Sequence, residues 1–256
     1  MDWRSQDAGD ALKELDRAGL AWEFLRRNPE YREDYRRALE RIAAGAITEE
    51  AAMAAISRRW GCPFVRDPDG PANLHPTIWR PELLPPTVVL ITAPDCYPKA
   101  RELAGVDLGS TRASAIGADG AHIVVEDAAG DHHLWLRDVR ADQKLVALLA
   151  LDDDFRVRVL SLIRFQRRLT GRSSGPLPKA WQITRRHRQR LTLMVRALDA
   201  HLADATYREI ADALYGAEAV TRYAWKTSSI RGQTIRLVKD AIGMMRGGYR
   251  KLLRGD

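Results

Sequence analysis

The sequence predicts an α+β chain that is mainly α. A helical domain over 1–61 comes first, then a Pro-rich connector with a small β unit over 62–151, then a basic helical bundle over 152–256. Three observations lead there. Apolar residues recur at helical spacing at both ends of the chain. The middle holds short apolar runs bounded by turn residues. Charge is split along the length: residues 1–154 carry 19 Lys/Arg and 27 Asp/Glu, whereas residues 155–256 carry 22 Lys/Arg and 7 Asp/Glu.

That split limits the possible partners. The whole chain has a net charge of +7, but the last segment alone stands at +15. A basic segment joined to an acidic one points to a polyanion as partner for the former. The 45% hydrophobic and 29% charged content is that of a globular chain, not a disordered one. No apolar run approaches the ~18 residues of a membrane span. The polar start MDWRSQDAGD is unlike a secretory signal, so a cytoplasmic location and no membrane partner are expected. Cys62 and Cys96 form no CxxC pair and suggest no disulfide framework.

In chain order, LKELDRAGLAWEFLRR places Leu12, Leu15, Leu20, Trp22 and Leu25 at helical intervals. Asn28-Pro29 breaks and restarts the helix, with Asn28 as cap and Pro29 at the first helical position. Tyr31, Tyr35, Leu39 and Ile42 then form one face, ended by Gly45. Thr48 opens a third helical run that Gly61 stops. Residues 62–86 hold too many prolines for a helix and read as a connector packed down by Phe64, Ile78 and Trp79. TVVLITAP, AHIVVED and HHLWLRD read as three strands, the last two joined by the turn AAGD. QKLVALLALD stays ambiguous between strand and helix. DDDFRVRVLSLIRFQRRLTG reads as a helix whose acidic start and basic end suit its dipole. GRSSGPLPKA over 171–180 reads as a linker.

Beyond the linker, one helix has a basic head of Arg185, Arg186, Arg188 and Arg190, expected to bind DNA irrespective of its sequence, and an apolar stripe of Leu191, Val195, Leu198 and Leu202. The next opens with a Thr206/Glu209 capping box, turns Ile210, Ala211 and Leu214 inward and ends at Gly216, as the first helix of a helix-turn-helix does. In AWKTSSIRGQTIRLVKD, Ile230, Thr234, Leu237, Val238, Ala241, Met244 and Met245 share an arc. Ser228, Ser229, Gly232, Gln233, Arg236, Lys239, Asp240 and Gly243 lie opposite. Thr227 or Ser228 is the expected cap. Small residues at Ser229 and Gly232 admit close approach to a groove wall. Gln233 and Arg236 are of the types that read base edges. Lys226, Arg231 and Lys239 suit phosphates. About a dozen residues separate Gly216 from Ser228, where the ordinary motif uses ~3–4. AEAVTRY is a candidate for a further short helix there, and either helix is a candidate to enter the groove. In GGYRKLLRG, two glycines break the helix and Tyr249, Arg250 and Lys251 form a candidate backbone clamp.

The run REIADALYGAE…WKTSSIRGQTIRLVKDA…GGYRKLL resembles the C-terminal DNA-binding domain of proteobacterial RovC-like and FseA-like transcription regulators. WR…GLAWEFLRRNPEYREDY…RWG…P resembles the transcriptional regulator-like domain found ahead of it. The resemblance implies a variant helix-turn-helix, which would account for the long gap. It also implies activation of type VI secretion genes or of the transfer of integrative and conjugative elements. Homo-oligomerisation, contact with the transcription machinery and control by a protein antiactivator are implied as well.

Three other chemistries are weighed on the residues. Asp131-His132-His133 spells the DHH of a two-metal phosphoesterase, but the further Asp and His motifs needed to hold two metals are missing. Cys62, His75 and Cys96 have no close pair of zinc ligands. His187, Arg190 and Tyr249 offer the parts of a tyrosine-type recombinase, with the tyrosine too far downstream. A non-catalytic interaction or RNA-binding protein is the remaining alternative. The expectation is therefore a double-stranded DNA-binding transcription regulator with no catalytic residues, no metal and no cofactor.

Overall fold

Asp16 decides where the first helical run divides. Its carboxylate accepts from the Gly19 N–H at 2.7 Å, so a new helix begins there. The run expected from Leu12 is therefore broken near its start: α1 (Gln6–Lys13) ends within it and α2 (Arg17–Leu25) carries the rest. α3 (Pro29–Ala43) follows, with Asn28 Oδ1 accepting from the Glu30 N–H. Its expected apolar face is only partly covered: Tyr31 is buried, whereas Leu39 is exposed. α4 (Glu49–Trp60) runs from the Thr48 cap to Gly61, whose φ of 87° is the left-handed stop.

The computed structural model describes residues 3–4, 6–74, 76–102, 108–117, 119–139, 142–216 and 225–255. The fold is α+β and mainly α. The chain forms two compact units that draw on both ends of the sequence.

The first unit comprises Met1–Arg36, Asp67–Leu74 and Ile183–Leu252. It is helical, built from α1, α2, the start of α3, α6 (Arg185–Leu202), α7 (Tyr207–Tyr215), α8 (Ser229–Gly243), a π turn (Met244–Gly248) and most of α9 (Tyr249–Arg254). Its core joins Leu20, Trp22, Phe24 and Leu25 of α2 with Leu191, Val195 and Leu198 of α6, Ile210 of α7, and Leu237 and Val238 of α8. Leu202, expected to continue the α6 stripe, is exposed at the helix end. Trp22 meets Tyr31 edge-on at 5.5 Å.

Ionic groups run through this core. Glu23 of α2 accepts from Arg26 Nε at 2.8 Å, Arg27 Nη1 at 2.5 Å and the Ala72 N–H at 2.8 Å. Arg27 also grips Asp199 of α6 with two bonds, at 2.5 and 2.8 Å. Burial pushes the Glu23 carboxyl upward, but the two guanidinium groups and the Ala72 N–H outweigh it, and the net displacement is downward. Burial likewise opposes charge on Arg27, and Asp199 and Glu23 reverse it, leaving the guanidinium raised.

The second unit comprises Arg37–Arg66, His75–Gln182 and Leu253–Asp256. Its centre is a five-stranded sheet in the order β2-β3-β4-β1-β5. The strands are β1 (Val88–Thr92), β2 (Thr111–Gly117), β3 (Gly120–Val125), β4 (His132–Leu136) and β5 (Leu145–Leu148). β1 and β4 pair in parallel, with Val88 opposite Leu134; the other pairs are antiparallel. The three expected strands are present. The ambiguous QKLVALLALD supplies β5, and β2 escaped notice because TRASAIG is an edge strand with little buried apolar surface. Gly120 has φ of 115° and lies so near the Leu136 carbonyl that a Cβ would fall 2.1 Å from it, so only glycine closes that corner.

α5 (Phe155–Leu169) covers the sheet, with Phe165 packed among Val88, Leu90, Val125, Leu134 and Leu136. The 171–180 stretch is tied down: buried Ser174 donates to Asp127 Oδ2 at 2.7 Å and lies 3.1 Å from His132 Nε2.

Candidate nucleic-acid interface

α8 carries the two-sided pattern read from its sequence. Thr234, Leu237, Val238, Ala241 and then Met245 are buried, with Ile230 and Met244 at the border. Ser229, Gln233, Arg236, Lys239, Asp240 and Gly243 are exposed. Wound at about 100° per residue, the exposed set occupies an arc of about 120° that includes Gly232. Arg231, also exposed, lies on the opposite flank, about 160° from Ser229. The helix starts where expected: Ser228 is the cap, its Oγ accepting from the Ile230 N–H at 3.1 Å. Lys226 is exposed in the 3₁₀ turn Trp225–Thr227 that leads into it. Residues 217–223, the candidate extra helix, lie outside the described residues.

Gly232 is half-buried under the Arg236 side chain. A Cβ there would sit 3.6 Å from Arg236 Nη1, an ordinary contact. The glycine is thus not required by packing inside the bundle, although it costs about 1 kcal/mol of helix stability relative to Ala.

α7 packs on α8 and α6 as the supporting helix. Its capping box is formed: the Thr206 hydroxyl accepts from the Glu209 N–H at 3.3 Å, and the Glu209 carboxylate accepts from the Thr206 N–H at 2.8 Å. Ile210 and Ala211 are buried and Leu214 is half-buried.

The basic head of α6 separates into different roles. Arg185 and Arg186 are exposed in the first turn, after the Thr184 cap. Cations at a helix N-terminus oppose the dipole, so the fold gains nothing from them there, whereas a phosphate would. Arg190 pairs with Asp240 of α8 at 2.5 Å, which joins the two helices. Arg188 donates to the Lys13 carbonyl at 2.7 Å and to that of Leu15, and so braces the turn between α1 and α2.

The π turn redirects the chain at Gly247, whose φ of 132° is open to glycine. Beyond it, Arg250 and Lys251 are exposed. Tyr249, expected beside them in a clamp, is instead 0% exposed in the core. That burial also overturns the recombinase reading, because a nucleophilic hydroxyl must reach the DNA strand. Of its partner groups, Arg190 pairs with Asp240 and His187 is half-buried. Sequence reading passed over Arg246, an exposed cation in the π turn. Its place in a basic C-terminal run was the available signal.

Among the described residues, the groups of the other chemistries are not brought together. His132 of the DHH run is buried against Phe165 and held near pKa 4 by burial and by Arg164. It serves the packing of the 171–180 stretch. Among the described residues no cluster of His, Cys, Asp and Glu could hold a metal ion, Cys62 is buried and Cys96 exposed, and His75 lies outside those residues. No described helix is long and apolar enough to cross a membrane.

Comparison with protein families places these elements. A RovC family model, described as a type VI secretion (T6SS) transcription factor DNA-binding domain, matches residues 148–254. A proteobacterial transcriptional regulator-like domain matches residues 2–65, and a domain of unknown function matches residues 86–147. A search of curated proteins gave no match. The matches support a DNA-binding transcription regulator. The resemblance read at the two ends of the chain is therefore borne out, with the regulator-like domain first and the RovC-type DNA-binding domain last.

Proposed function

We propose that the chain is a sequence-specific, non-enzymatic regulator that binds double-stranded DNA with α8 as its reading helix. It acts in this reading as an activator of secretion or mobile-element transfer genes, in the cytoplasm. The observation that carries the proposal is the exposed arc of α8. It combines small residues, Gln233, Arg236 and Lys239 around a helix whose other face is firmly buried. Ser229 and Gly232 admit the groove wall, Gln233 and Arg236 meet base edges, and Lys226, Arg231 and Lys239 meet phosphates. Arg185, Arg186, Arg250 and Lys251 extend the backbone contacts. Arg190 and Arg188 keep α6 in place, and Ser228 sets the start of α8. The segments 1–61, 62–151 and 152–256 serve as regulator-like, connecting and DNA-binding parts. The first of these is the proposed contact for the transcription machinery or a protein antiactivator, and the protein works as a homo-oligomer.

The test is selection of duplexes from a random pool by the full chain, followed by titrations in rising salt. A recurrent motif is expected, with affinity falling steeply as salt rises. Tighter binding to single-stranded RNA than to any selected duplex would overturn the proposal.

Gly232→Ala separates approach from mere tolerance. The variant is expected to be about 1 kcal/mol more stable to thermal unfolding, because alanine is the better helix former and meets only ordinary contacts. Its affinity for the selected duplex is expected to fall by about tenfold, since the methyl group holds the backbone away from the groove. Unchanged affinity would show that the glycine has no part in docking.

A further inference from the structure

Helix α5 buries two of its arginines while several of its apolar side chains stay exposed. Arg158 and Arg164 are 8% and 5% exposed, whereas Phe155, Leu160 and Ile163 are 40%, 39% and 42% exposed, and Leu151 just ahead of them is 90% exposed. The inward arginines are fully engaged. Arg158 grips Asp152 with bonds of 2.8 and 3.1 Å. Arg164 donates to the carbonyls of Gly130 at 2.8 Å and Gly175 at 3.0 Å. Single exposed apolar residues need no explanation, but a contiguous stripe does. Phe155, Val159, Ile163 and Leu160 lie within an arc of about 140° at helical winding, together with Gln166 and the exposed Arg156 and Arg167. The inward guanidinium groups are already satisfied, so the stripe stands as an exposed apolar patch of the kind that marks a surface for association.

The ends of the helix identify what covers it. Asp153 is exposed just before the first turn and Arg167 is exposed in the last. They stand about 21 Å apart along the axis. Two such helices packed antiparallel about a two-fold axis near Leu160 bring Asp153 of each against the partner subunit's Arg167. The apolar stripes then meet between the two ion pairs. A parallel pairing would set like charges together instead.

We propose that the outward face of α5 is the surface through which two copies of this chain associate, antiparallel and isologous. The proposal deepens the self-association proposed above and rests on it. It is tested on the full chain by sedimentation velocity over a wide concentration series. Ile163→Asp is expected to weaken association by more than about tenfold, because it sets a charge into the apolar centre. Asp153→Arg and Arg167→Asp alone are each expected to weaken it several-fold, and the double variant to restore it, since the swapped charges again face each other. Thermal unfolding of each variant checks the fold; if Ile163→Asp unfolds, the charge-swap series decides. Single reversals without rescue in the double variant overturn the antiparallel pairing. Wild-type association that no variant alters overturns the α5 surface but leaves self-association standing. A wild-type chain that stays monomeric throughout overturns both.

Discussion

Glu23→Ala is expected to destabilise the helical unit by about 3–5 kcal/mol, the range for removing one member of a buried ion pair. The carboxylate is 1% exposed and receives two guanidinium groups and a backbone N–H. Its removal leaves Arg26, Arg27 and the Ala72 N–H short of an acceptor away from water. For a unit of about 100 residues this corresponds to a melting temperature lower by on the order of 10–20 °C. Glu23→Gln, which keeps the shape and an acceptor oxygen, should lose less. The pH dependence has a definite sign. The carboxyl lies below its ordinary value in the folded chain, so its contribution is present above the unfolded value near about 4.3 and is lost as pH falls through the folded value. Acid should therefore narrow the gap between wild type and Glu23→Gln. Calorimetry at neutral and acidic pH checks both statements; a loss under about 1 kcal/mol at neutral pH would show that the network contributes little. Because Arg27 links Glu23 to Asp199 of α6, this variant should also weaken DNA binding without touching DNA.

The largest expected effect on binding comes from Lys226→Ala, Arg231→Ala and Lys239→Ala combined. All three cations are exposed, and their replacement leaves the buried face of α8 intact. If each meets one phosphate, the slope of log affinity against log salt becomes shallower by about 2.7, and affinity near physiological salt drops on the order of a hundredfold. The loss should be alike for the selected duplex and for an unrelated one. Arg236→Ala and Gln233→Ala should behave differently. Each is expected to lower preference for the selected duplex by about 1–3 kcal/mol, with a smaller change in nonspecific binding. Anisotropy titrations with both duplexes at several salt concentrations measure all four quantities. An unaltered slope in the triple variant, or equal losses on both duplexes for Arg236→Ala, would undo this division between phosphate and base contacts.

Much of this arrangement was legible in the residues. Caps and stops were, because Thr48, Gly61, Thr206, Glu209, Gly216 and Ser228 act on backbone groups within a few positions of themselves. The inner and outer arcs of α8 were, because helical winding alone sorts Thr234 and Leu237 from Gln233 and Arg236. The break after Lys13 in the run that begins at Leu12 needed the competition between a continuous apolar period and the Asp16 cap, which spacing does not decide. β2 depends on β3 for its place, so its own residues scarcely mark it.

The sequence by itself determined most elements and the ends marked by caps and stops, the basic C-terminal segment and which face of α8 meets solvent, since these follow from local hydrogen bonding and periodicity. Only the tertiary structure decided which charged and aromatic side chains are available. Arginines of identical chemistry became a brace at Arg188, an interhelical tie at Arg190, buried staples at Arg158 and Arg164, or exposed cations at Arg185 and Arg186. Tyr249 passed from clamp to core in the same way. A guanidinium takes whatever acceptor the fold brings within about 3 Å, and for Arg164, Arg188 and Arg190 those acceptors lie 11 or more positions away in sequence.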